Sequence, residues 1–364
     1  MDPKKPPSEE ELLGVLTDQV SLRLPSTWRS QLSGRRGQRG LDAVLRLTAP
    51  DGGQAVLPVE VKASINTRDL AGVLDTLRRA IEWDPELAAR LGQPVIVARY
   101  LSPRTRAMLV EQGASYADAT GNLRLVSDQP AVYIESLGAT SDPWRTPDRE
   151  IKTLKGRPAA RVVRALIDFP PPYRLRELWQ LSGASLGSTS RVVDYLDKEA
   201  LLRRDDRGGI SEVDWPALLL RWSEDYGFQV SNVVTAGFEP RGTQRTLSAL
   251  SSTSTRYAIT GSLAAARVAP TAESRLAMLF ADEPEQLAAE LGLRPTGPPN
   301  VLISKPFDPV VYDRATEEDG LRYTSLSQTA VDLLTSPGRG PAEGEALMQW
   351  MTRNEDAWRR RPAD

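Results

Sequence analysis

Two apolar-rich runs separated by a turn set the reading of the first third of the chain. Leu41-Asp42-Ala43-Val44-Leu45-Arg46-Leu47 predicts one strand, and Ala55-Val56-Leu57-Pro58-Val59-Glu60-Val61-Lys62 the next, after an Asp51-Gly52-Gly53 turn. Alternation along the second strand sends Val59 and Val61 into a core and leaves Glu60 and Lys62 together on the opposite face. Pro58 has no N–H for the ladder and weighs against a central position. Helical spacing predicts Glu9 to Leu22, with Ser8 as N-cap and Glu11 three residues on. It also predicts Asn66 to Trp83 through Leu70, Val73, Leu74, Leu77 and Ile81, and Pro103 to Gln112, closed by Gly113. Pro94 to Tyr100 reads as a buried strand, and Leu123–Val126 with Ala131–Ser136 as a hairpin. Trp28 to Gly40 reads as a basic, Gly-rich loop. The order α-β-β-α-β-α-β-β predicts a mixed α/β domain over residues 9–141, behind a disordered segment 1–8.

A polar linker spans 142–156, and the pattern then changes. Arg161–Phe169, Leu175–Leu181 and Ser188–Leu202 read as three short helices, the second ended by Ser182-Gly183. Arg203 to Ile210 reads as the turn of a β-hairpin. Helix, helix, turn, helix, hairpin is the order of a winged helix-turn-helix, placed at 157–215. Residues 216–364 form a C-terminal α/β domain. It contains a Trp215–Tyr226 helix, strands at Arg256–Ser262, Leu276–Ala281 and Asn300–Ser304, and helices at Thr329–Leu334 and Ala342–Arg353.

Composition narrows the chemistry. The 364 residues contain no Cys and no His. Disulfides, thiol nucleophiles, Cys/His zinc sites and histidine acid–base catalysis are excluded. A metal here must be held by oxygen, which favours Mg²⁺, Mn²⁺ or Ca²⁺. No stretch approaches twenty apolar residues and no apolar run follows the N-terminus, so no membrane span or signal peptide is expected and the cytoplasm is the expected location. Net charge is −2, which gives no global basic field. Residues 145–207, by contrast, carry 14 basic and 9 acidic side chains, a local excess suited to phosphate.

Two sets of candidate residues follow. Asp42 and Glu60, on neighbouring strands, are candidate ligands for Mg²⁺ or Mn²⁺, with Lys62 as the ammonium that orients water or steadies phosphate charge. That is the pattern of metal-dependent phosphodiester cleavage. The competing reading is a solvated Glu–Lys pair on a half-exposed strand, and the same triplet recurs at Glu150-Ile151-Lys152 in the linker. The second set is for duplex DNA. Ser185, Ser188, Thr189, Ser190 and Arg191 sit at or before the first turn of the third helix, and Arg203, Arg204 and Arg207 on the wing. Asp194, Asp197, Asp205 and Asp206 oppose that reading, and a protein-contact or dimerisation role competes with it. A homodimer is the expected assembly, because winged helices read symmetric half-sites.

Three further segments carry a resemblance. They are Asp42 with Val59-Glu60-Val61-Lys62; Tyr116-Ala117-Asp118-Ala119-Thr120-Gly121-Asn122-Leu123-Arg124-Leu125; and Thr324-Ser325-Leu326-Ser327-Gln328-Thr329-Ala330-Val331-Asp332-Leu333-Leu334 with Gly338-Arg339-Gly340. Together with the winged helix they resemble large bacterial members of the AbiEi-type (type IV toxin–antitoxin) antitoxin and transcription-regulator family, over most of the chain. The resemblance implies a restriction-endonuclease-like domain, a winged helix and a C-terminal α/β domain, with DNA binding, transcription regulation and an operon partner protein. The N-terminal block separately looks like the PD-(D/E)xK nuclease fold, in which Asp42 and Glu60 would be metal ligands and Lys62 catalytic. Glu9, Glu10 or Glu11 could add an acidic ligand. Asp118, Gly121 and Asn122 also read simply as a tight turn needing positive φ. Gly261-Ser262 resembles the start of a nucleotidyltransferase site, but the metal-binding aspartate pair is missing, so it reads as a relic. Asp332, flanked by Val331, Leu333 and Leu334, reads as a cap or surface group.

Overall fold

The structure is a computed structural model that describes residues 5–34, 41–82, 92–144 and 153–361. Its contacts divide the chain into two compact units, Met1–Arg149 with Lys198–Ala200, and Glu150–Asp197 with Leu201–Asp364. No helix among the described residues is long and apolar enough to cross a membrane.

The first unit is built on a seven-stranded mixed sheet in sequential order, β1 to β7. Its elements are α1 (Glu9–Arg23), β1 (Arg29–Gly34), β2 (Ala43–Thr48), β3 (Gln54–Lys62), α2 (Leu70–Glu82), β4 (Val95–Ala98), α3 (Pro103–Glu111), β5 (Ser115–Asp118), β6 (Leu123–Asp128) and β7 (Ala131–Ser136). β3, β4 and β5 run parallel, and the other neighbours antiparallel. Ser8 caps α1 as expected: the Glu11 N–H donates to Ser8 Oγ and the Ser8 N–H to Glu11 Oε2. Leu12, Leu16 and Val20, one helix face, bury against Leu45, Leu47, Val59 and Val61. Each such side chain contributes roughly 1.5–3 kcal/mol. The opposite sheet face, through Val44, Val56 and Ile96, packs on Leu70, Leu74 and Leu77 of α2 and Leu109 of α3. The sheet is therefore covered by helices on both faces.

Three expectations change here. The basic loop expected at 28–40 begins as a strand, β1, at the sheet edge; residues 35–40 lie outside the described residues. Its burial pattern is mostly exposed, so no apolar alternation announced it. Ser115–Asp118 is a fully buried strand, β5, where only a turn motif was read. Pro58 sits in a central strand after all. It faces Val44 of β2, and the pairing of β3 with β4 starts one residue later, at Val59.

The second unit begins with α4 (Arg157–Asp168), α5 (Leu175–Ser182) and α6 (Leu186–Lys198), followed by an antiparallel hairpin of β8 (Leu202–Arg204) and β9 (Ile210–Val213). Tyr173, between α4 and α5, makes an isolated antiparallel bridge to Ile210 beside this two-stranded sheet. α7 (Trp215–Ser223) follows. A six-stranded sheet, ordered β10-β13-β12-β11-β15-β14, then takes over. It is made from β10 (Val233–Gly237), α8 (Thr243–Leu250), β11 (Tyr257–Thr260), α9 (Gly261–Ala265), β12 (Ala277–Ala281), α10 (Pro284–Glu290), β13 (Val301–Lys305), β14 (Thr316–Glu318) and β15 (Leu321–Tyr323), and closes with α11 (Leu326–Leu334), α12 (Gly340–Arg353) and α13 (Glu355–Trp358). One core runs across the 215/216 position. It joins Val163 and Leu166 of α4 and Val192 and Leu196 of α6 to Trp222 of α7, Val331 of α11 and Leu347 of α12. Most of the expected linker, including Glu150-Ile151-Lys152, lies outside the described residues.

Candidate functional site

In the first unit, β-sheet register assembles the carboxylates. Ala43 pairs with Val59 at the end of the β2–β3 register, so Asp42, the residue before β2, lies beside the strand end that carries Glu60. Asp42 Oδ2 accepts the Val61 N–H at 2.8 Å, which fixes the loop entering β2. Lys62 Nζ donates to Glu60 Oε1 at 2.5 Å. The Ala63 N–H donates to Glu9 Oε1 at 3.3 Å, bringing the first residue of α1 to the end of β3. Of the three N-terminal glutamates left open by the sequence, Glu9 is the one that reaches this strand end; Glu11 is spent on the cap. Helix position, not residue type, separates them.

Glu60 is buried to 8% exposure, and that burial pushes its carboxyl above the ordinary range. The charges of Asp42 and Glu9 add to the push, while the Lys62 hydrogen bond opposes it. Burial works to lower the Lys62 ammonium, but the bond to Glu60 and the charges of Glu60, Asp42 and Glu9 prevail and hold it above its usual value. Among the described residues no group of three or more His, Cys, Asp or Glu side chains is placed to hold a metal ion. Asp42 and Glu60 each commit one carboxylate oxygen to an internal donor. Mg²⁺ is commonly held by one or two carboxylates with water and substrate phosphate, so Asp42 and Glu60 are the residues here that could hold it.

In the second unit, Ser185 caps α6: the Ser188 N–H donates to its Oγ at 3.2 Å. Ser185 and Arg191 are exposed, while Ser188 and Ser190 are half-buried. Arg191 donates to Ser188 Oγ at 3.3 Å. Two sequence assignments are corrected. Thr189 is fully buried and its hydroxyl donates to the Ser185 carbonyl at 3.0 Å, so it packs the helix start and meets no solvent. Arg204 is half-buried along α6, bonded to Asp194 and lying 3.8 Å from Asp197. Its single charge offsets one of these two carboxylates, Asp205 and Asp206 stay exposed at the hairpin turn, and Arg204 is not free to track a backbone. Arg203 keeps a loose exposed pair with Glu212 at 3.4 Å. Arg207 is exposed at the hairpin turn, where its N–H donates to Asp205 Oδ1. Arg174 and Arg176, exposed at the start of α5, were not singled out in the sequence.

The two remaining motifs are internal. Asp118, fully buried, accepts from the Thr120 N–H and hydroxyl, the Asn122 N–H and side-chain amide, and the Leu101 N–H. Gly121 has φ +105°. The segment is the tight turn that was one of its two readings. Asp332 is neither cap nor surface group. It is fully buried and accepts from Tyr226 at 2.8 Å, Thr260 at 2.6 Å and Gln328 at 2.9 Å. Gln328 in turn accepts from Arg164 of α4 at 2.8 Å, and Arg164 pairs with Asp168 at 2.9 Å. Burial pushes Asp332 up to about 7 against those three hydrogen bonds. Ser262 donates to Glu343, not to a pair of aspartates. Compared with protein-family models, with curated proteins and with solved structures, the chain finds no match in any of the three.

Proposed function

We propose that the chain is a DNA-binding protein of transcription-regulator, antitoxin type that reads duplex DNA through a winged helix-turn-helix at residues 157–215. The observation that carries this reading is the Arg204 clamp on Asp194 and Asp197. The clamp offsets part of that acidity, and the exposed start of α6 presents Ser185, Ser188 and Arg191, beside a hairpin bearing Arg203 and Arg207 together with Asp205 and Asp206. Hydroxyl and guanidinium donors of this kind suit phosphate oxygens and base edges. The three helices, the hairpin and the Tyr173–Ile210 bridge have the element order of a winged helix. The test is binding of the DNA upstream of the chain's own coding sequence, against a shuffled duplex of equal length. Preference for the former supports the reading, and equal or absent binding removes it.

A second reading is favoured by the Asp42–Glu60–Lys62 cluster: a Mg²⁺- or Mn²⁺-dependent DNA endonuclease, targeted by the same winged helix. The metal would supply a Lewis acid and an activated water. Asp42 and Glu60 would hold it, and Lys62 would keep Glu60 oriented. Nicking of supercoiled plasmid that requires the metal and is lost in Lys62→Ala supports this reading; intact plasmid with either metal removes it.

A further inference from the structure

The second unit contains a cavity of about 250 Å³ that neither functional reading uses. Its lining combines two indoles, Trp350 of α12 and Trp358 of α13, with the polar side chains of Arg267, Arg314, Ser325 and Asp168.

The charges in it do not cancel. Asp168 is matched by Arg164 and takes the Ser327 hydroxyl as well. Arg267 is matched by Glu318 on β14. Arg314 has no carboxylate partner among the described residues. Its guanidinium is held by main-chain carbonyls of Asp168 at 3.0 Å, Trp358 at 2.8 Å and Arg360 at 2.6 Å, which orient it without neutralising it. Three of its five N–H groups are thereby used and two remain. Its backbone sits at φ +58°, a conformation a bulky L residue rarely adopts. Ser325 caps α11, a nine-residue helix whose N-terminal end adds positive potential to the same cavity.

We infer that this cavity binds a small aromatic carboxylate, its ring between the Trp350 and Trp358 indoles and its carboxylate on Arg314 and Arg267. The volume admits one or two fused rings and is below the usual range for larger cofactors. Arg267 already holds a carboxylate, that of Glu318, through Nε at 2.7 Å and through NH2. A ligand carboxylate would compete with Glu318 for it. The inference does not rest on the DNA reading.

The test is calorimetric titration of the full chain with indole-3-acetate and benzoate, beside indole-3-acetamide, benzamide and inorganic phosphate. Saturable binding of a carboxylate, at least tenfold tighter than its amide and than phosphate, is expected. Arg267→Met should weaken it about tenfold, and Glu318→Gln should tighten it severalfold by freeing Arg267. Arg314→Met should abolish it; because Arg314 also anchors the end of the chain, the two substitutions at the Arg267–Glu318 pair decide the matter if that variant fails to fold. No carboxylate binding, amides binding as well as acids, or affinity unmoved by both Arg267→Met and Glu318→Gln would each overturn the inference.

Discussion

Asp42 and Glu60 meet at one end of the β2–β3 pair, where Asp42 Oδ2 accepts the Val61 N–H and Glu60 Oε1 accepts from the Lys62 ammonium. Lys62 is what restrains the Glu60 carboxyl against burial and against the neighbouring charges. Removing the ammonium should therefore raise the Glu60 pKa further. Carbon-detected NMR titration of Glu60 in Lys62→Met should show its midpoint at higher pH than in the parent chain. A midpoint that stays or falls would mean that the 2.5 Å contact does not persist in solution.

The Arg204 clamp gives a second prediction. Arg204→Ala bares Asp194 and Asp197 on the C-terminal half of α6 and should weaken DNA binding about tenfold. Restoring neutrality with Asp194→Asn and Asp197→Asn in the same chain should recover most of that loss. A direct Arg204–phosphate contact would not be rescued this way, so the double-mutant arithmetic separates the two roles.

Asp332 sets a pH dependence. Its folded-state pKa, about 7, lies above that of an unfolded aspartate, near 4. Between those values the folded state binds more protons than the unfolded state, so this group makes stability fall as pH rises, with the loss complete above about pH 7. Asp332→Asn should remove that slope. Thermal unfolding at pH 5 and pH 8 should show a smaller difference in the variant than in the parent chain. An unchanged difference would show that Asp332 is not the group responsible.

The turn around Asp118 predicts a structural loss without a functional one. Asp118→Ala leaves four donors of the turn and the Leu101 N–H without their acceptor. It should destabilise the chain by at least about 3 kcal/mol, measured by urea unfolding. DNA affinity below the transition should be unaltered, and a specific loss of affinity there would give the motif a role in recognition.

What could be read in the sequence depended on where the information lies. β2 and β3 were legible because their apolar residues serve two helix-covered faces: Leu45 and Leu47 on one, Val44 on the other. Glu60 and Lys62 were legible for the same reason, as polar groups on an apolar strand. β1 was not, since an edge strand with one half-covered face needs few apolar residues. The four residues of β5 are too few to show a period. Thr189 and Ser188 are alike in sequence, and only helix phase decides that the first is buried. The partners of Arg204 lie on the preceding helix but are set by the hairpin's fold, and two of those of Asp332 come from distant elements. Asp332 lies 106 positions from Tyr226 and 72 from Thr260, so its flanking residues carried no sign of the polar network that encloses it.

The salt dependence of DNA binding tests the central claim most directly. Fluorescence anisotropy with the upstream duplex, from low to high salt, should give log K falling linearly with log salt concentration. In the Arg191→Ala, Arg203→Ala, Arg207→Ala triple variant the slope should be shallower by up to about 3, roughly one for each lost phosphate contact. An identical slope in the variant, or no binding by the parent chain at low salt, would contradict the assignment of α6 and its hairpin as the surface that reads DNA.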